Sequence, residues 1–224
     1  MRYTEVMISR YALYDIAELS NRFELTNGLP KGIKPNYNNS PTKSAPVITN
    51  IEGVRTIAPM MWGLVAQGAK DTNSVFRYKT YNIASEKILS RHSWERAVRE
   101  SRCLIPANGY YELNGSGKKR ANYVQPKDKS LFAFAGVHSS WQDPEGVIHG
   151  MFSVITIEAP NSTNRMPVII RREDESRWLD PSVTDASSLY DMLRTYPSHL
   201  LDVYEVSSAV HSPKPNQAQL IDPI

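Results

Sequence analysis

Apolar positions change their spacing along this chain, and the changes divide it into elements. In YALYDIAELSNRFELTNG (residues 11–28), Leu13, Ile16, Ala17 and Phe23 recur close to helical spacing, and Asn27-Gly28 supplies a stop. LPKGIKPNYNNSPTKSAP (29–46) is rich in Pro, Asn and Lys and reads as a loop. PVITNI (46–51) and TIAPMMWGLV (56–65) read as short strands, and SWERAVRE (93–100) as a short helix. From 104 to 157 the pattern is mostly strand-like. YYEL and RANYV flank a hairpin signal over 114–119, LFAFAGV (131–137) alternates, DPEG (143–146) is a turn, and MFSVITI (151–157) is an apolar run. TDASSLYDMLRTY (184–196) places Leu189, Met192, Leu193 and Tyr196 on one helical face, and DVYEVSSAV (202–210) closes as a strand. Helices lie near the ends and strands fill the middle. The pattern predicts a single α+β domain around an antiparallel or barrel-like sheet.

Composition narrows the function classes. The chain has 224 residues and one cysteine, which excludes an internal disulfide framework and a Cys-based structural zinc site. The five histidines (92, 138, 149, 199, 211) show no metal-ligand spacing, so no metal and no cofactor is expected. There is no Gly-rich phosphate loop and no GxSxG. No apolar run approaches the roughly 20 residues of a membrane span, and the first residues lack the apolar core of a signal peptide. The expectation is a soluble, intracellular, cytoplasmic protein without membrane contact. A formal net charge of +3 permits a polyanion partner without demanding one.

Four residues stand out as candidate chemistry. Cys103 enters an apolar strand, where a free cysteine ordinarily packs as a small hydrophobe. Arg102 beside it would point to the opposite face. Glu112, between aromatics and a leucine, is either a partly desolvated acid–base group or a solvated hairpin residue. Trp62 is either core or a stacking platform for bases, and Gly63 after it suggests a bend or a close backbone approach. Arg165, in a polar turn before an apolar strand, either grips a phosphate or braces its loop against a carboxylate.

The segments MISRYAL, YNNSPTKSAPVI, MMWGLV, YNIASEKI, SRCLIPANGYYEL, FAFAGVHSSW, FSVITIEA, NRMPVII and VSSAV, in this order and spacing, resemble the SRAP family of SOS-response-associated proteins, which shield abasic sites in single-stranded DNA. The resemblance runs from about Met7 to His211. It implies a barrel-like mixed β core with flanking helices over residues 7–224, preceded by a six-residue extension (1–6). It also implies a likeness in partner, single-stranded DNA or its junction with duplex, bound by a monomer that would be nucleoid-associated in a bacterium. In that family a cysteine directly after the initiator methionine uses its amine and thiol to trap the ring-opened abasic aldehyde as a thiazolidine. An Asn, a Glu and a His assist.

The departures from the family pattern shape the expected function. MISRY at Met7–Tyr11 matches the family's start, so the cysteine position is Ile8 and the glycine position Ser9. The family histidine falls on Thr163, and an arginine of the family on Ala84. Asn82 and Glu112 are retained as catalytic positions, and Arg10, Pro41, Trp62 and Arg165 as DNA-binding positions. Cys103 matches a core cysteine of the family. The resemblance therefore implies DNA binding without the covalent step. An alternative is a residual abasic-site lyase working through an N-terminal amine, or a paralogue with another ligand.

Overall fold

The computed structural model describes residues 8–26, 28–88, 92–114, 120–160 and 164–224. The extension 1–6, Met7, Asn27 of the expected helix stop, the tip of the 114–119 hairpin and Thr163 lie outside them. Among the described residues the strands are β1 (Tyr11–Leu13), β2 (Asn36–Asn39), β3 (Ser44–Ile51), β4 (Val54–Trp62), β5 (Asn82–Ala84), β6 (Arg102–Ala107), β7 (Gly109–Asn114), β8 (Arg120–Pro126), β9 (Phe132–Gln142), β10 (Ile148–Glu158), β11 (Arg165–Pro167), β12 (Ile169–Ile170) and β13 (Leu201–Val206). The α-helices are short: α1 (Leu19–Arg22), α2 (Asn73–Tyr78), α3 (His92–Glu100), α4 (Glu175–Leu179) and α5 (Ala186–Tyr190).

Five strands close on themselves. β10 pairs antiparallel with β9 and also parallel with β4, at Met151↔Met61 and Phe152↔Trp62. β4 pairs with β3, β3 with β6 at Ile48↔Leu104, and β6 with β9. The ring β10–β4–β3–β6–β9 is a small barrel, and closure removes the free edges that an open sheet would leave. Trp62, Phe134 and Phe152 lie on one face of the ring and Ile48 and Leu104 on the other, and all five are fully buried. A second sheet, in the order β13–β8–β7–β1–β2, lies against it. Tyr11 of β1 ties the two together: its ring meets Trp62 edge-on at 5.3 Å and Phe134 at 5.7 Å.

Three readings of the pattern are corrected. Residues 11–13 form a strand rather than the start of a helix. Tyr11 and Leu13 face the main core while Ala12 packs in a second cluster, so both faces are covered and the alternation that marks a strand is hidden. The expected loop 29–46 contains β2 and the start of β3. β2 is the polar run NYNN, paired with β1 and held by Asn38, whose amide donates to the carbonyls of Ser212 and Pro215. The helix expected over 184–196 is regular only to Tyr190, although Leu189, Met192 and Leu193 are buried on one side and Tyr196 is half-buried.

The nine-residue α3 and the five-residue α4 end at one guanidinium. Arg102 donates to the carbonyls of Val98 and Arg99 at the end of α3, and to those of Trp178 and Asp180 at the end of α4. Helix C-termini leave carbonyls without intrahelical donors, and a cation there is favourable.

Candidate functional site

The site grows from the register of β1 on β7. Tyr11 lies opposite Tyr110 and Ala12 opposite Gly109, and Tyr111 N–H donates to the Arg10 carbonyl at 3.1 Å. Glu112 follows Tyr111 on β7. Two residues before Arg10, the carbonyl of Ile8 accepts a 2.6 Å hydrogen bond from the Asn82 side-chain amide. Asn82 opens β5, which pairs parallel with β10 at Val154. The other side-chain atom of Asn82, Oδ1, is buried and meets no donor among the described residues. The Ile8 side chain is itself buried in the main core.

Glu112 shares a strand face with Tyr110 and lies opposite Asn122 on β8. Burial pushes its carboxyl above the usual glutamate value, and a hydrogen bond with Asn122 pulls part of the way back. It is a half-buried acid that holds a proton more readily than a surface glutamate, a property suited to proton transfer.

Arg10 spends its guanidinium on backbone. It donates to Ser9 O at 2.7 Å, His211 O at 3.2 Å and Val210 O at 3.3 Å, which lashes the segment before β1 to the turn after β13. Burial lowers its pKa, and the nearby Tyr81 phenol partly offsets that.

Three positions expected on a DNA channel lie inside the protein. Trp62 has no exposed surface; its indole N–H donates to Tyr81 O at 2.7 Å, and its ring stacks on Phe152. It offers no face to a base and works as core. Gly63 after it has φ +125°, and a Cβ there would lie 2.3 Å from Val75 Cγ1, so the close approach expected at this glycine is present. The Arg165 side chain is 3% exposed. It donates to Thr156 Oγ1 and O and, at 2.6 Å, to Glu86 Oε2, so it braces the β10–β11 hairpin rather than facing outward. Burial alone would raise the Glu86 carboxyl; hydrogen bonds, that from Arg165 among them, together with the charge of Arg165, outweigh it and hold the group below its usual value. Pro41 is likewise buried, at the turn between β2 and β3.

Cys103 is fully buried opposite Gly136, and desolvation pushes its thiol far above the ordinary range. It packs as core, away from the site. The structure thus brings Asn82 to the segment of Ile8, Ser9 and Arg10, with Trp62 bonded to the neighbouring Tyr81, and places Glu112 on β7 next to Tyr111, the residue that bonds Arg10. Arg165 sits on the flank, linked through Thr156 Oγ1 to the Ile83 carbonyl. Tyr81, Asn122 and Glu86 are additional members. Tyr81 is marked in sequence only by preceding Asn82, and Glu86 by nothing, since its partner is 79 residues away. Among the described residues no cluster of His, Cys, Asp and Glu could hold a metal ion, and no helix is long and apolar enough to cross a membrane.

This closed barrel with its flanking sheet is a known α+β architecture. The crystal structure of a protein from Bacteroides thetaiotaomicron shares it with a TM-score of 0.80 at 22% identity, over 96% of this chain and 99% of that one. The chain belongs to the SOS response associated peptidase (SRAP) family, whose pattern it matches over residues 7–213. It is 33% identical to the abasic site processing protein YoaM of Bacillus subtilis, across 96% of this chain and 98% of YoaM. It is 26% identical to the abasic site processing protein HMCES of Gallus gallus, across 85% of this chain and 67% of that protein.

Proposed function

We propose that this protein binds single-stranded DNA, or its junction with duplex, at abasic sites, and releases it again. The names of its relatives supply the lesion. Ile8 carries the rest of the reading. It stands at the position of the family's nucleophilic cysteine, is held there by Asn82, and offers only an aliphatic side chain. A Schiff base closed by a thiol cannot form on it. What remains is non-covalent: phosphate contacts, which supply most sequence-independent affinity and are salt-sensitive, and base stacking.

The test mixes the protein with an abasic single-stranded oligonucleotide and runs native and denaturing gels side by side. A native shift that vanishes on denaturation is the expected result. No shift at low salt would overturn the DNA reading.

A second reading is favoured by the raised Glu112 carboxyl. In a chain processed to begin at Ile8, the new amine would have an ordinary pKa near 7.7–8.0. It would condense with the abasic aldehyde and lose water; Glu112 would take a proton from the adjacent carbon, and the 3′ phosphate would leave. Borohydride would trap that Schiff base as a band that survives denaturation.

A further inference from the structure

The chain of rings under the site does not stop at the core. Trp62, buried, meets Tyr81 edge-on with centroids 6.3 Å apart, and Tyr81, half-buried, meets Phe76 at 6.3 Å. Phe76 is 57% exposed. A lone exposed phenylalanine is unremarkable on a protein surface. This one ends a continuous ring path that starts in the barrel and passes the residue next to Asn82.

Its seat is firm. Val75, the preceding residue of α2, is fully buried against Gly63, whose missing side chain makes the room. Past α2 the chain folds back at once: Thr80 N–H donates to Val75 O at 3.1 Å, and Thr80 Oγ1 to Leu64 O at 2.6 Å. With Val75 turned inward, Phe76 lies about a quarter turn round the helix, on the Tyr81 side. A ring held in place before binding loses little freedom when a ligand stacks on it.

The surroundings are basic. Residues 67–82 carry Lys70, Arg77 and Lys79 against Asp71, three positive charges to one negative. Among the described residues neither Arg77 nor Lys79 pairs with a carboxylate. Asp71 is turned onto its own loop, accepting from Asn73 N–H and side-chain amide. An exposed aromatic face set among unpaired cations fits unpaired bases on a phosphate backbone better than it fits an apolar protein surface.

We propose that Phe76 is a base-stacking residue, which grips an unpaired base of the DNA strand beside the position of Ile8 and Asn82. The proposal rests on the single-strand reading of the site and adds the contact that recognises bases, as distinct from phosphates. It assigns to α2 the task that the buried Trp62 ring cannot perform.

The experiment compares wild type, Phe76→Ala and Phe76→Trp on two ligands by fluorescence anisotropy at several salt concentrations. One ligand is a short oligothymidylate; the other is a sugar-phosphate strand of the same length that lacks bases. Phe76→Ala is expected to weaken oligothymidylate binding about 5- to 100-fold while binding of the base-free strand changes less than about 2-fold, with the salt dependence unaltered. Phe76→Trp is expected to restore affinity. Equal loss on both ligands, or loss on neither, would overturn the proposal and leave the DNA reading intact. Failure of the wild type to bind either strand would overturn both.

Discussion

The side-chain amide of Asn82 holds the carbonyl of Ile8 at 2.6 Å, across 74 residues of sequence. The bond fixes the backbone of residue 8 independently of its side chain. The position is therefore ready to present another side chain in the same place. A chain trimmed to begin at residue 8 and carrying Ile8→Cys is expected to give a band that survives denaturation on abasic DNA. Ile8→Cys in the full-length chain is expected to give none, because its amine is tied up in a peptide bond. Gel analysis of the two proteins on one oligonucleotide reads the difference.

Glu112 gives a pH dependence whose sign follows from linkage. Its carboxyl is harder to ionise in the folded than in the unfolded chain, so above the ordinary value of 4.5 the folded state binds more protons. The contribution to stability is therefore lost as pH rises from there through the raised value. Glu112→Gln removes it. The variant is expected to match wild type near pH 4 and to melt about 1–3 °C higher at pH 8, a modest figure because the group is only half-buried. Thermal melts across that range check it.

The Arg165 guanidinium is buried while its partner Glu86 is about half exposed, so the two do not respond alike. Among the described residues, removing Glu86 leaves a buried charge with only the distant Glu158, at 3.9 Å, and the oxygens of Thr156. Glu86→Ala is expected to cost about 1–3 kcal/mol in denaturant unfolding. Lower pH should mimic it. Glu86 has a depressed carboxyl, so its contribution is present at neutral pH and fades as pH falls through the folded value.

Cys103 and Gly136 face each other across β6 and β9 with no spare volume. A Cβ on Gly136 would lie 2.3 Å from Ile105 Cδ1, 2.8 Å from Ser153 O and 3.1 Å from Cys103 Sγ. Gly136→Ala is expected to destabilise by about 1–3 kcal/mol. In the native protein Cys103 is expected to resist a thiol reagent that labels it fully in denaturant. Mass spectrometry before and after unfolding decides this.

Much of the barrel was legible because its strands are long and apolar on at least one face, as in LFAFAGV and MFSVITI. The turn at DPEG and the hairpin of β7 and β8 followed from local chemistry. β1 and β2 were not legible, for opposite reasons. β1 is buried on both faces and shows no alternation, while β2 is nearly all polar and is held by backbone pairing and side-chain amides. At the site, Asn82 and Glu112 were singled out by family likeness; in the structure Asn82 bonds the Ile8 carbonyl, and Glu112 lies half-buried opposite Asn122. The places of Trp62 and Arg165 depend on what packs over them. No local pattern says whether an aromatic or a guanidinium faces in or out when its partners, Tyr81 and Glu86, come from a distant segment. Phe76 escaped notice in the sequence because two aromatics, Phe76 and Tyr78, in a six-residue helix make no pattern that separates a binding face from an ordinary surface.

β10 closes the barrel, pairing Met151 with Met61 and, a few residues on, Val154 with Asn82. The last strand of the ring to be synthesised is therefore the one that seats the asparagine holding Ile8. As the chain leaves the ribosome, the first 150 or so residues must wait, with their sheet edges open, until β10 emerges. Such long-range parallel pairing folds slowly and exposes edges to wrong partners in the meantime. Once it is made, ring and site share a single cooperative unit. Amide hydrogens around Asn82 should then exchange with solvent only when the whole barrel opens, and the site should have no partly unfolded form of its own.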